Sequence, residues 1–470
     1  MRRVILWRKS ALICKGIQMR KLIVLIAFAG LTACGGSSSG SAGPQTGTAA
    51  CSNDGQKQFV LDQLYAWYLW NDMLPAGISI ADYASPEELV FRVTTELGPK
   101  DSSGNPLDLF SSVGSAEADS QFFGEGKFEG FGFSWRFADQ AQTDFRITRT
   151  FSGSPADLGG LARGQQVLSL NGRTIANITA NEGVSAFFAA NDTVDFEVQP
   201  LVGASFFTAP LTKAIVTIDP VPQVDVIAGS GGRNIGYIEL ATFISTADPK
   251  LDAAFLEFRN ASPAVEEIIL DLRYNGGGLV STAELLGDLL GGNIARGEVF
   301  SSTEFNADRA LQNNSQKFFA EILNRSPNLT RLVVIATRGT ASASELVANG
   351  LIPHVDVAIV GDNTFGKPVG QIGLTFCDKI MRPTSFKLAN SLGDGDYFDG
   401  LPVTCPAADD LSVAVGDPQD PNMIAAMSYL NTGACPVTSL PGSNFKASDE
   451  ARTPEPDRNR PPHRELLDAY

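Results

Sequence analysis

Residues 332–371 hold the types from which an acyl-transfer site can be built: Ser342-Ala343-Ser344-Glu345, then Lys367 and Gln371. A serine hydroxyl is a weak nucleophile until a neighbouring base takes its proton. Histidine is the usual base, and the chain has two, His354 and His463. His463 sits in a Pro-rich polar tail, and His354 lies beside Pro353 just before an apolar run, a structural or surface position. Lysine can serve instead when its ammonium is desolvated and the neutral form becomes accessible. Lys367 lies between Gly366 and Pro368 in a tight apolar turn, which suits that role. Each residue alone has an ordinary explanation. Ser342-x-x-Glu345 is also a helix capping box, a turn lysine is commonly solvated, and Gln371 is an unremarkable strand residue. Only the set points to chemistry.

The elements that must position this set are legible around it. Leu332-Val333-Val334-Ile335-Ala336 is short, apolar and β-branched, as a buried strand is. A turn at Arg338-Gly339-Thr340 leads into a helical pattern ending near Gly350, and Val357 to Val360 reads as the next strand. Strand, helix, strand is the βαβ unit of a parallel sheet, whose strand ends carry functional loops. A serine on one such loop and a lysine on the next can meet.

With these spacings the stretch resembles the active-site signature of the carboxyl-terminal processing, or tail-specific, proteases. The resemblance implies that Ser342 is the nucleophile, that Lys367, 25 positions on, is its general base, and that Gln371 orients the lysine. Upstream, Ile268-Ile269-Leu270-Asp271-Leu272-Arg273 reads as a buried strand, followed by Tyr274-Asn275-Gly276-Gly277-Gly278 and a helix through Leu286 and Leu290. Backbone amides at such a helix start suit an oxyanion. The family's D-L-R-x-N-x-G-G motif implies that Gly277 and Ala343 donate them.

Further upstream, Gly130-Phe131-Gly132-Phe133, Ser154-Pro155-Ala156 and Val167 to Gly172 resemble a PDZ domain over 125–218. There the amides of Gly130, Phe131, Gly132 and Phe133 would grip a peptide C-terminus that adds as a β-strand. Gln165-Gln166 departs from the family, which places an acidic residue after the glycine. Gly124 to Gly130 has the wrong spacing for a phosphate-binding loop. Residues 51–120 read as helical scaffold, dense in aromatics from Phe59 to Trp70 up to a stop at Pro75, with a second helix capped at Ser85-Pro86. Residues 219–233 read as a Pro/Gly-rich connection, and 234–435 as the protease core. Leu251, Ala254, Phe255 and Phe258 mark one helical face there.

At the chain start, Met19-Arg20-Lys21, an apolar run from Leu22 and Leu31-Thr32-Ala33-Cys34 describe a secretory signal within 1–34. The last four residues resemble a bacterial lipobox, which implies lipidation at Cys34, and 35–50 reads as a flexible tether. No aspartate follows Cys34, so the expected location is the cell envelope, on the outer membrane facing the periplasm. Cys51, Cys377, Cys405 and Cys435 then allow two disulfides, with Cys377–Cys405 and Cys51–Cys435 the expected pairing. The tail, 436–470, reads as disordered. A net charge of −16 argues against nucleic acid as a partner, and no Cys/His cluster has metal-ligand spacing.

The expectation is therefore an α/β multidomain protein: a helical N-terminal segment, a PDZ-like β domain and a ClpP/crotonase-like core. It would be a lipid-anchored serine endopeptidase acting without a cofactor on protein or peptide substrates held by their C-termini. Any activating partner or oligomer is left open. The rival is a family member that has lost catalysis and binds peptides or hydrophobic ligands.

Overall fold

The computed structural model describes residues 50–203 and 205–436. The signal, Cys34 and all of the tail except Pro436 lie outside the described residues. The fold is the mixed α/β class expected, with N-terminal helices, a PDZ-like β domain and an α/β core.

Six strands form the central sheet of the core in sequence order: β1 (Gln223–Ala228), β2 (Asn234–Glu239), β3 (Glu267–Asp271), β4 (Arg331–Ala336), β5 (Asp356–Gly361) and β6 (Cys405–Pro406). Only the β1–β2 pair is antiparallel. Parallel neighbours need crossovers, supplied by α1 (Asp248–Asn260), α2 (Val280–Gly291) and α3 (Ala343–Leu351). Every step advances in one direction, and right-handed crossovers then place the three helices on one face. Leu251, Phe255, Leu286, Leu290 and Val347 accordingly pack on Ile238, Leu270 and Val334. Tyr237, Ile269, Val333 and Val360 point to the opposite face, which α4 (Pro421–Thr432) covers through Met423, Ala426 and Leu430. Burial on both faces is why β3 and β4 read as unbroken apolar runs.

β1 falls in the stretch read as a connection, so the core sheet starts before residue 234. Val224 and Val226 of β1 pack only partly against the core while Asp225 is exposed. That half-buried edge pattern is hidden in sequence by the flanking prolines and glycines.

A second sheet runs Ser315–Phe318, Val299–Phe305, Thr384–Ala389, Val369–Gln371, all antiparallel, and ends in the strand that carries Gln371. The hairpin Leu374–Phe376 and Lys379–Arg382 pairs with Ser112–Ser115 of the N-terminal segment. In that segment the first helix, Asn53–Trp67, stops well before Pro75. Tyr68 turns fully into the core, and the Leu69 N–H donates to Thr384 O at 2.9 Å. The second helix, Pro86–Arg92, is capped by Ser85 Oγ, which accepts from Glu88 N. Residues 98–111 are irregular, not helical.

The PDZ-like sheet runs Phe133–Phe137, Phe145–Thr150, Gln166–Leu170, Thr193–Gln199, Phe207–Thr212, with Lys127–Gly130 paired separately to Ala214–Thr217. At the departure from the family pattern, Gln165 Oε1 accepts from Ala162 N and its Nε2 donates to Gly160 O. The amide thus braces the Gly160–Gly164 turn on both sides.

The disulfides are Cys51–Cys377 and Cys405–Cys435, which corrects the expected pairing. Cys377 turns the hairpin that packs with the N-terminal helices, where Phe376 stacks on Phe59 at 4.5 Å, so it meets Cys51 at the start of the first helix. Cys405 lies on β6 at the sheet edge, and α4 returns over that sheet to bring Cys435 to it.

Candidate active site

The loops after β3 and β4 are stitched together. Ala341 N and Ser344 Oγ both donate to Asn275 O at 3.0 Å, and Thr340 Oγ1 donates to Leu272 O at 2.7 Å. Between β4 and α3, Ser342 has φ 56° and ψ −115°, a backbone region that L side chains other than glycine avoid. Strained residues of this kind cluster at functional sites. Gly277 lies against the serine. It has φ 108°, and a Cβ there would come within 2.8 Å of Ser342 Cβ and 2.9 Å of Ala343 N. Only glycine fits.

The two amides expected to face an oxyanion lie in different settings. Ala343 opens α3, where the first amides of a helix have no partner within the helix. Gly277 N donates to Asn275 Oδ1 at 2.9 Å, so that amide is engaged inside its own turn.

Lys367 is 5% exposed, and its Nζ donates to Gln371 Oε1 at 3.1 Å. Gln371 Nε2 donates to Arg382 O and Phe110 O, both at 2.8 Å. Gly366, at φ 99°, holds the turn so close to residues 398–400 that a Cβ would lie 2.3 Å from Phe398 O.

One buried carboxylate joins the two turns. Glu345 Oε2 accepts from Ser342 N at 2.9 Å and from Lys367 N at 2.8 Å, while Oε1 accepts from Thr364 Oγ1 at 2.5 Å and Gly366 N at 2.7 Å. The serine and lysine amides share an oxygen and are no farther apart than those two bonds allow. Burial pushes the Glu345 carboxyl above its ordinary pKa, and the hydrogen bonds from Thr364, Lys367, Gly366 and Ser342 pull the other way. In sequence Glu345 reads as half of a capping box, and nothing local distinguishes cap from clamp.

Of the residues expected to hold peptide, Phe131 and Phe133 are fully buried, packed with Phe188 and Phe196 at ring distances of 5.6–5.8 Å. Their side chains build the PDZ core and leave only the backbone to meet a ligand. Strand Phe133–Phe137 is the last in its sheet and pairs with Phe145–Thr150 alone among the described strands. Arg163 crosses from this domain to the core, donating to Tyr274 Oη and Asp409 Oδ1, each at 2.8 Å. Arg163, Arg136 and Arg273 surround Asp409 and hold its carboxyl well below the usual range despite burial. His354 packs edge-on to Phe319, with its Nε2 near Val299 O and Ser391 Oγ.

A strained serine turn and a buried lysine hydrogen-bonded to glutamine thus sit in a core joined to a PDZ-like sheet. Residues 234–392 match the model of Peptidase family S41, residues 55–135 its N-terminal domain, and residues 120–199 the PDZ domain. The chain is 28% identical over 264 residues to the chloroplastic C-terminal processing peptidase of Tetradesmus obliquus, covering 54% of each chain. It is 27% identical over 254 residues to the carboxy-terminal processing protease CtpA of Bacillus subtilis, covering 53% of this chain and 50% of that one. The chain thus spans about half the length of the curated relatives it matches. A putative S41 protease from Bacteroides fragilis shares the fold, with a TM-score of 0.59 at 22% identity over 79% of this chain and 96% of that one. Over its core the chain is thus similar to peptidase family S41, and it resembles carboxy-terminal processing peptidases while carrying a PDZ-domain match.

Proposed function

We propose that the protein is a serine endopeptidase with a Ser342/Lys367 dyad. Neutral Lys367 takes the Ser342 proton as Oγ attacks the scissile carbonyl. The Ala343 amide, with a second amide from the 276–278 turn, stabilises the tetrahedral oxyanion; such donors are typically worth about 3–4 kcal/mol each. Lys367 then protonates the leaving amine, and water resolves the acyl-enzyme. Gln371 orients the lysine. The observation that carries this reading is the Glu345 clamp, which draws the serine and lysine turns onto one carboxylate while Lys367 Nζ rests on Gln371.

Substrates are selected through their C-termini, added along the Phe133–Phe137 edge strand. The protein works outside the cytoplasm, lipid-anchored through Cys34 to the cell envelope; this rests on the lipobox-like sequence alone.

The test compares wild type with Ser342→Ala and Lys367→Ala on an unfolded protein ending in an apolar C-terminus. Cleavage by wild type and by neither variant is expected. Wild-type rates from either folded variant would remove the dyad. Capping the substrate's terminal carboxylate as an amide is expected to slow cleavage.

A further inference from the structure

The N-terminal segment reaches the lysine at Phe110. Phe110, 5% exposed, places its ring centroid 4.8 Å from Lys367 Nζ. The ring also packs edge-on at 6.0 Å against Phe365 of the lysine's own turn. The Phe110 carbonyl accepts from Gln371 Nε2. A primary amide has one donor end and one acceptor end. With Nε2 held by Phe110 O and Arg382 O, Oε1 is left to face Lys367 Nζ. One residue therefore touches both the lysine and its hydrogen-bond partner.

The turn that presents Phe110 is fixed in place. Asp108, fully buried, accepts from Phe110 N at 2.9 Å, Ser111 N at 3.0 Å, Ser111 Oγ at 2.6 Å and Thr384 Oγ1 at 2.9 Å. Ser111 Oγ in turn accepts from Thr384 N at 2.9 Å. These bonds lock the turn onto Thr384–Ala389, the strand that pairs with Val369–Gln371. The Cys51–Cys377 bond fastens the start of the same segment to the hairpin whose second strand ends at Arg382.

We propose that Phe110 is a positioning residue for the base: its ring shuts water away from the Lys367 amine, and its carbonyl orients Gln371. The N-terminal segment is then part of the catalytic apparatus as well as scaffold. This inference rests on Lys367 being the base.

A structural role and a positioning role differ in pH dependence. A lysine shielded from water gives up its proton more readily, so exposing it delays the rise of activity with pH. The ring face attracts an ammonium and acts in the opposite sense. Phe110→Ala admits water, whereas Phe110→Leu keeps an apolar cover without the ring. For Phe110→Ala the acid limb of the kcat/KM profile is expected to move up by about one pH unit. It would then lose about tenfold at pH 7 and recover much of the deficit by about pH 9.5. The Phe110→Leu limb is expected at or slightly below the wild-type position. If Phe110→Ala does not fold, Phe110→Val makes the same comparison with less volume removed. A folded variant with an unshifted limb, at full rate or uniformly reduced, overturns the inference, provided Lys367→Ala is inactive. If Lys367→Ala cleaves at the wild-type rate, the base assignment has failed first.

Discussion

Two carboxylates, one buried and one nearly so, hold this molecule together at its two critical junctions, and they are solvated in opposite ways. Glu345 joins the serine and lysine turns through three backbone amides and a threonine hydroxyl, and burial raises its pKa. Asp409 joins the PDZ-like domain to the core among three arginines, and its pKa falls. Dipoles solvate a carboxylate only if they stay in place, so the Glu345 junction is a statement about backbone geometry. Guanidinium groups act by charge, so the Asp409 junction is a statement about electrostatics. The first keeps the serine and lysine turns in register, and the second ties the PDZ-like domain to Tyr274 at the start of the 274–278 turn.

The contrast breaks most visibly at Asp409. Asp409→Ala leaves buried Arg273 and partly buried Arg163 and Arg136 without their shared partner and is expected to cost about 3–5 kcal/mol of stability, read by chemical denaturation. Glu345→Gln places an amide donor among four donors. It is expected to cost about 2–3 kcal/mol and, by loosening the two turns, about a hundredfold in activity. Peptide cleavage and denaturation on one preparation check both. If activity survives Glu345→Gln unchanged, the clamp is only a helix cap.

Acidity sharpens the comparison, because the signs differ. Ionised Asp409 contributes stability that is present above its ordinary pKa near 3.8 and is lost as pH falls through its lowered folded value. Glu345 behaves inversely. The folded state holds its proton more readily than the unfolded chain, so stability declines as pH rises from about 4.5 through the raised folded value, then levels. Denaturation midpoints of Glu345→Gln and Asp409→Asn against wild type, taken across pH, should therefore diverge in opposite directions. The smallest effect on stability is expected at the serine. Ser342→Gly relieves the positive φ and should raise stability by about 1 kcal/mol while abolishing cleavage.

The parts legible in sequence are those whose signal is local. Strands β3 to β5 and helix α3 were readable from β-branched runs and helical spacing because each is buried on its own account. Strand β1 was not, since its short Val224-Asp225-Val226 alternation lies between prolines on one side and glycines on the other. Cysteine pairing depended on which sheet each cysteine joins, which spacing does not encode. Glu345 was visible only as a cap. Phe110 gave no signal, because its partner Gln371 lies 261 positions away.

The most direct test of the central claim is the rate of covalent modification of Ser342 by a fluorophosphonate as a function of pH, in wild type and Lys367→Ala. A deprotonated lysine base predicts a wild-type rate that rises with pH through a single limb, and a rate lost at every pH in Lys367→Ala. A flat wild-type profile from about pH 6 to 9, or a Lys367→Ala variant labelled as fast as wild type, would contradict the Ser342/Lys367 dyad.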